Sequence, residues 1–160
     1  MATYSLTMAT PVGILKLTSD EQNLKSISFD AEYAQDDLPV PEILVSAREQ
    51  LEAYFAGKLQ KFDLKADPEG TEFQRKVWEQ VSSVSFGDTK SYVEISRAVG
   101  SQDSNRAVGM ANGRNPLPIV VPCHRIIGHN GKLTGYAGGL ERKKWLLLHE
   151  LKVSGKGGLF

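Results

Sequence analysis

Three prolines punctuate the stretch Asn115, Pro116, Leu117, Pro118, Ile119, Val120, Val121, Pro122, Cys123, His124, Arg125. Proline fixes φ and donates no backbone hydrogen bond, so Pro118 and Pro122 stiffen the stretch between them. Its apolar run, residues 119–121, suits a buried strand or an extended segment. Cys123, the one cysteine of the chain, therefore follows a stiffened backbone. A lone cysteine is ordinarily a small buried hydrophobe. Here His124 and Arg125 offer the base and the positive field that a thiolate needs. Neighbouring side chains of an extended segment point apart, so His124 reaches the sulfur only through a turn or a bridging water. A third group, a carboxylate, is then expected to hold the imidazole. These residues indicate a reactive cysteine and leave its substrate open.

With 160 residues, 41% of them hydrophobic, the chain can bury a core in one domain or in two small lobes. No apolar run approaches a membrane span, and the first residues lack the layout of a secretory signal. One cysteine makes no internal disulfide, which fits a reducing compartment. The expected location is the cytoplasm, with the nucleus as well if the source is eukaryotic. Net charge is zero, but its distribution is uneven. Residues 1–70 carry six basic and twelve acidic side chains, and residues 71–160 carry thirteen basic and seven acidic. A basic half beside an acidic half suits one polyanion-facing side, although a solvated surface can show the same asymmetry by chance.

Tyr4, Leu6 and Met8 alternate with polar residues, Pro11 to Gly13 reads as a turn, and Ile14, Leu15 and Leu17 open a second strand. A third strand near residues 24–29 completes a meander, followed by an acidic loop over 30–41. Leu44, Ala47, Leu51 and Tyr54 with Phe55 give helical spacing over 41–56, ending at Gly57. Residues 62–64 are expected to add one short strand. The lobe boundary is placed in the Asp67-Pro68-Glu69-Gly70 linker.

Thr71 and Gln74 form a capping-box pattern ahead of Phe73, Val77, Trp78 and Val81 on one helical face. A second helix is expected over 91–98, with Tyr92 at its start, Ile95 and Val99 inward and Gly100 at its end. Residues 101–104 offer N-caps for a third helix through Asn112. Residues 128–139 are glycine-rich and expected to be flexible. The last helix, 141–151, should turn Trp145, Leu148 and Leu151 inward, and the tail 154–160 should fray. The expected class is α/β (α+β): lobe 1–70 with an antiparallel sheet and a helix, and a mostly helical lobe 71–153.

Helix, turn and helix across 91–112 fit a DNA-binding helix-turn-helix or a generic helix pair. The second helix, with Ala107, Gly109 and Ala111, is small-sided apart from Arg106. Such a helix approaches a backbone closely but has few long polar side chains to read base edges, which predicts sequence-independent binding. His124, His129 and His149 lack helical ligand spacing and a second cysteine, so no metal site is expected. His129 reads as a surface loop residue and, by spacing alone, Glu150 as a solvated helix residue.

Pro122-Cys123-His124-Arg125, preceded by Arg114-Asn115-Pro116 and followed by Gly135-Tyr136-Ala137-Gly138-Gly139, resembles the methylated-DNA–protein-cysteine methyltransferases. These repair proteins strip alkyl groups from the 6-oxygen of guanine. The match is close over about residues 71–151 and loose, in length and pattern, before that. The resemblance implies that Cys123 takes the alkyl group and that Glu150 completes a cysteine–water–histidine–glutamate relay. It implies that Asn115 braces the active-site turn and that Tyr92 donates to the 6-oxygen or N3 of the leaving base. It lays the small-sided helix in the minor groove, with Arg106 filling the gap left by an extruded base. Tyr136, Ala137 and Gly138 belong to the loop that walls that base, and Lys143 aligns with a lysine near it. Ala137 stands where some members carry serine, which leaves only its backbone amide for a contact. Arg114 is the remaining DNA-contact candidate, and surface charge explains it equally well.

The implied protein is a monomer that acts once on duplex DNA containing alkylated guanine, without cofactor or membrane. Two rivals share these residues. A cysteine hydrolase would use the same relay but turn over on an ester or amide. A helix-turn-helix protein that binds alkylated DNA or regulates transcription without catalysis would not need Cys123.

Overall fold

A computed structural model describes residues 2–34, 39–100, 105–133 and 135–156. The chain divides into two compact units, residues 1–69 and 70–160. In the first, β1 (Tyr4–Thr10), β2 (Gly13–Ser19) and β3 (Leu24–Ser28) form an antiparallel meander in that order. Thr10 ties the first turn, its Oγ1 accepting from Val12 N at 3.1 Å while donating to Gly13 O at 2.7 Å. Leu6 pairs with Leu17 and Met8 with Leu15, so one face of the sheet is apolar. Helix α1 (Glu42–Phe55) covers it with buried Leu44, Ala47, Leu51 and Tyr54, and Gly57 in the left-handed region ends the chain's helical course. The expected strand over 62–64 is absent; just beyond it Ala66 makes one isolated bridge with Leu24. A run of three residues lacks the ladder of partners that would hold it as a strand.

In the second unit, α2 (Glu72–Ser82) begins with a complete capping box: Thr71 Oγ1 accepts from Gln74 N at 3.1 Å, and Gln74 Oε1 from Thr71 N at 2.9 Å. Strand β4 (Lys90–Ser91) leads into α3 (Tyr92–Ala98), where Ser91 and Glu94 form a second capping box. Gly100, at φ 78°, closes α3, and the candidate N-caps 101–104 lie outside the described residues. Helix α4 (Asn105–Gly113) packs on both α2 and α3 around Val77, Trp78, Val81, Ile95 and Val108. A 3₁₀ turn, Cys123–Arg125, is followed by β5 (Ile126–Ile127), which pairs in parallel with β4.

Helix α5 (Leu140–Ser154) corrects the expected inward face. Trp145 and Leu151 are only half-buried and Leu148 is exposed, whereas Lys143, Leu146 and Glu150 are buried. Positions 143, 146 and 150 make one helical face, and that face carries two charges because it turns toward the cysteine turn. Ser154 still belongs to α5, and Lys156 pairs with Asp88 at 2.8 Å, so this part of the expected tail is tied down. Residues 157–160 lie outside the described residues. Among the described residues no helix is long and apolar enough to cross a membrane.

Candidate active site

The proline-rich stretch folds as a series of tight turns, not as the expected extended segment. Pro118 bridges to Val121, and Ile119 sits at φ 76° with its side chain 1% exposed. A β-branched residue in the left-handed region costs on the order of 1–2 kcal/mol, and burial of the isoleucine offsets that cost. Asn115 staples the turn from inside: its Oδ1 accepts from Leu117 N at 2.9 Å and its Nδ2 donates to Val121 O at 2.8 Å. Pro122, at φ −80° and ψ 62°, makes an inverse γ-turn closed by Cys123 N donating to Val121 O at 2.8 Å. Cys123 thus opens the 3₁₀ turn with its thiol almost fully buried.

His124 and Glu150 meet with Nε2 and Oε2 2.6 Å apart, both buried. Arg125 Nε donates to Glu150 Oε1 at 2.7 Å, its NH2 nitrogen to Oε2 at 3.1 Å, and Gly87 N to Oε1 at 3.3 Å. Gly87 has φ 84°, and a Cβ there would meet Ser154 Oγ at 2.7 Å, so only glycine lets this backbone amide approach. Burial alone would raise the Glu150 carboxyl, but His124 and Arg125 outweigh it and hold the group well below the usual carboxylate range. Burial pushes the His124 imidazole below its ordinary value, against the opposing pull of Glu150. A neutral imidazole facing an ionised carboxylate carries its proton on Nε2, which leaves Nδ1 as the basic atom. That Nδ1 is buried and has no hydrogen-bond partner among the described residues.

Burial raises the Cys123 thiol above its ordinary value, while Asn115, Tyr136 and the charge of Lys143 act the other way. The resting sulfur is therefore a protonated thiol. Burial and the facing sulfur both raise the Tyr136 phenol, so it stays a donor. Lys143 Nζ donates to Ile126 O at 2.7 Å, lies 5.8 Å from the centre of the Tyr92 ring, and is pulled down to about 8 by burial. Lys143 is therefore an interior cation whose charge acts on the thiol.

The remaining candidates separate into two sets. Arg106 and Ala107 are exposed on α4 beside half-buried Gly109, and Arg114 is exposed just past the helix. Tyr92, Arg106 and Gly109 line a cleft of about 350 Å³, and His129, marked by the sequence only as a loop residue, lines it too. Ala111, by contrast, is buried in the core cluster, and its carbonyl accepts from Trp78 Nε1 at 2.8 Å. Ala137 is exposed, whereas Gly138 is buried with its carbonyl accepting from Arg142 at 3.0 Å.

Two residues acquire positions that spacing did not signal. Arg125, expected to set the field at the sulfur, instead clamps Glu150 and donates to Val84 O at 2.7 Å. Asn112 is buried at the end of α4 and donates through Nδ2 to Cys123 O at 3.2 Å. Among the described residues no group of three or more histidine, cysteine or acidic side chains could hold a metal ion.

Both units match known families. Residues 3–68 match the ribonuclease-like domain of 6-O-methylguanine DNA methyltransferase, and residues 72–152 match its DNA binding domain. A methylated-DNA–protein-cysteine methyltransferase of Methanosarcina acetivorans is 46% identical, over 90% of this chain and 96% of the relative. One from Mycolicibacterium paratuberculosis is 45% identical, over 92% of each. The crystal structure of the Mycobacterium tuberculosis O6-methylguanine methyltransferase superposes with a TM-score of 0.85 at 41% identity, over 94% of each chain. The Mycobacterium tuberculosis protein in complex with DNA gives 0.85 at 42%, over 93% of each. Matched along both units and along nearly the whole of these relatives, the chain belongs to the 6-O-methylguanine DNA methyltransferase family.

Proposed function

We propose that this chain is a DNA repair protein that moves the alkyl group of 6-O-alkylguanine in duplex DNA onto Cys123, once per molecule. The observation that carries the reading is a buried thiol followed by a neutral imidazole whose far nitrogen is held by an ionised carboxylate. A protonated resting thiol resists stray oxidation and becomes nucleophilic only as its proton leaves. That proton passes through a water to His124 Nδ1, and Glu150 steadies the imidazolium that forms. The sulfur attacks the alkyl carbon, the bond from that carbon to the guanine 6-oxygen breaks, and the electron pair leaves with the base. Tyr92 donates to the departing 6-oxygen or N3, and Lys143 favours the developing thiolate.

Arg106 stands in the stack for the extruded nucleotide, with Ala107 and Gly109 against the minor groove and Arg114 on the backbone. Tyr136, Ala137 and Gly138 wall the base, Ala137 through its backbone amide. Asn115 keeps the turn beneath the sulfur in shape. Binding is sequence-independent, the protein works as a monomer in the cytoplasm, and the reaction consumes only protein and DNA. A thioether is a poor leaving group and no second thiol is present to remove it, so the product is final.

Intact-mass measurement after mixing with a methylated duplex tests this. One methyl gained per chain, located at Cys123, is expected. An unchanged mass, or continued turnover with excess substrate, overturns the reading, and turnover on an ester would favour a hydrolase.

A further inference from the structure

Two buried polar atoms beside the cysteine turn, His124 Nδ1 and Asn112 Oδ1, have no hydrogen-bond partner among the described residues. Buried polar groups are nearly always satisfied, and an orphan in a native interior marks a place for water or ligand. The two orphans belong to residues joined directly to the nucleophile. His124 follows Cys123 in the chain, and Asn112 Nδ2 lies 3.2 Å from the Cys123 carbonyl oxygen. Because Nδ2 and Oδ1 share one carbon, Asn112 Oδ1 also sits beside the cysteine turn. The turn itself is pinned there, since Cys123 O accepts from Ile126 N as well as from Asn112.

We propose that Asn112 is a positioning residue for the transfer, its Oδ1 accepting a hydrogen bond from the water that carries the Cys123 proton to His124. The assignment rests on the alkyl-transfer reading above and adds a member to its relay. A buried water makes about three hydrogen bonds. This one accepts from the Cys123 thiol, donates to His124 Nδ1 and donates to Asn112 Oδ1. On reaction the thiol proton passes to the water oxygen and one water proton passes to Nδ1. The hydrogen bond to Asn112 keeps the water's remaining proton occupied, so a lone pair faces the thiol. The same amide holds the Cys123 carbonyl through its nitrogen, so one side chain orients both the sulfur's backbone and its proton acceptor.

Asn112→Leu removes both contacts at nearly constant volume. With free 6-O-alkylguanine base as substrate, the parent rate should be nearly flat across neutral pH because the base is built in. The variant should react at least about tenfold more slowly at pH 7, and its rate should climb with hydroxide as solvent replaces the relay. A loss by the same factor at every pH would make Asn112 merely structural and overturn the proposal. A crystal structure of the unreacted parent protein decides independently of whether the variant folds. One ordered water within hydrogen-bond distance of both Asn112 Oδ1 and His124 Nδ1 is expected. An Oδ1 without water, or with a water that does not reach Nδ1, overturns it. Failure of the parent to take a methyl from duplex DNA would instead sink the alkyl-transfer reading itself.

Discussion

Arg125 grips Glu150 with two nitrogens, Nε at 2.7 Å from one carboxylate oxygen and NH2 at 3.1 Å from the other. The carboxylate that receives His124 is thereby kept ionised inside the protein, and neither charge is left uncompensated. Removing one partner of such a buried pair typically costs about 3–5 kcal/mol. Arg125→Met is expected to lose stability of that order in denaturant unfolding, whereas a surface arginine would cost less than about 0.5 kcal/mol.

Glu150→Gln keeps the shape but cannot stabilise an imidazolium by charge. Transfer should slow by roughly a hundredfold, as followed by single-turnover kinetics. A variant reacting at the parent rate would remove Glu150 from the chemistry.

Stability should depend on pH in a direction set by His124 and Glu150. Both have lowered values in the fold, so the unfolded chain binds more protons as acid is added. Their contribution is complete above the ordinary histidine value of about 6.5 and begins to fall below it. It falls further below the ordinary glutamate value of about 4.3, as the unfolded chain protonates that group too. Melting temperatures measured from pH 8 to 4 should therefore decline toward acid, and Glu150→Gln should flatten the lower part of the curve.

Much of this fold was legible from the residues, and the exceptions share a cause. The meander, the Thr71 capping box and the stop at Gly100 follow local rules of alternation, capping and left-handed glycine. The inward face of α5 is not legible in the sequence, because Trp145 and Leu148 are the more apolar residues whereas tertiary contacts bury Lys143 and Glu150. The left-handed Ile119 breaks the usual preference of a β-branched residue, and Asn115's bonds to Leu117 and Val121 hold the turn on either side of it. Among the site residues, Cys123 and His124 stand out in the sequence itself. Glu150 was identified by resemblance alone, and Asn112 by neither, because a buried amide leaves no periodic mark.

Arg106→Ala should weaken reaction with duplex DNA more than reaction with free alkylguanine base. The arginine's proposed role is to offset unstacking of a few kcal/mol or so, a cost that the free base does not incur. Equal losses on the two substrates would place Arg106 in folding or chemistry.

Cys123→Ser should abolish transfer while leaving duplex affinity nearly unchanged, because the buried sulfur offers almost no contact surface. Radiolabelled methyl retained on the variant would exclude Cys123 as acceptor. In the parent, the gained methyl enters a packed interior, where overpacking costs roughly 1–3 kcal/mol. The alkylated protein, freed of DNA, should melt below the unreacted form; an equal or higher melting temperature would show spare room around the sulfur.

The pairing of Lys90 with Ile126 and Ser91 with Ile127 ties the segment that leads into Tyr92 to the one that follows Cys123. Tyr92 is the next residue after one strand, and Cys123 stands three residues before the other. Their separation is gauged by backbone rungs, which hold their spacing when side chains around them are exchanged. Substitutions can thus accumulate in the neighbouring core while the register of the two segments stays constant. A single inserted residue at Ile126 would slip the ladder by one place and turn its side chains to the opposite face. The device tolerates changes of residue type and is intolerant of changes in chain length.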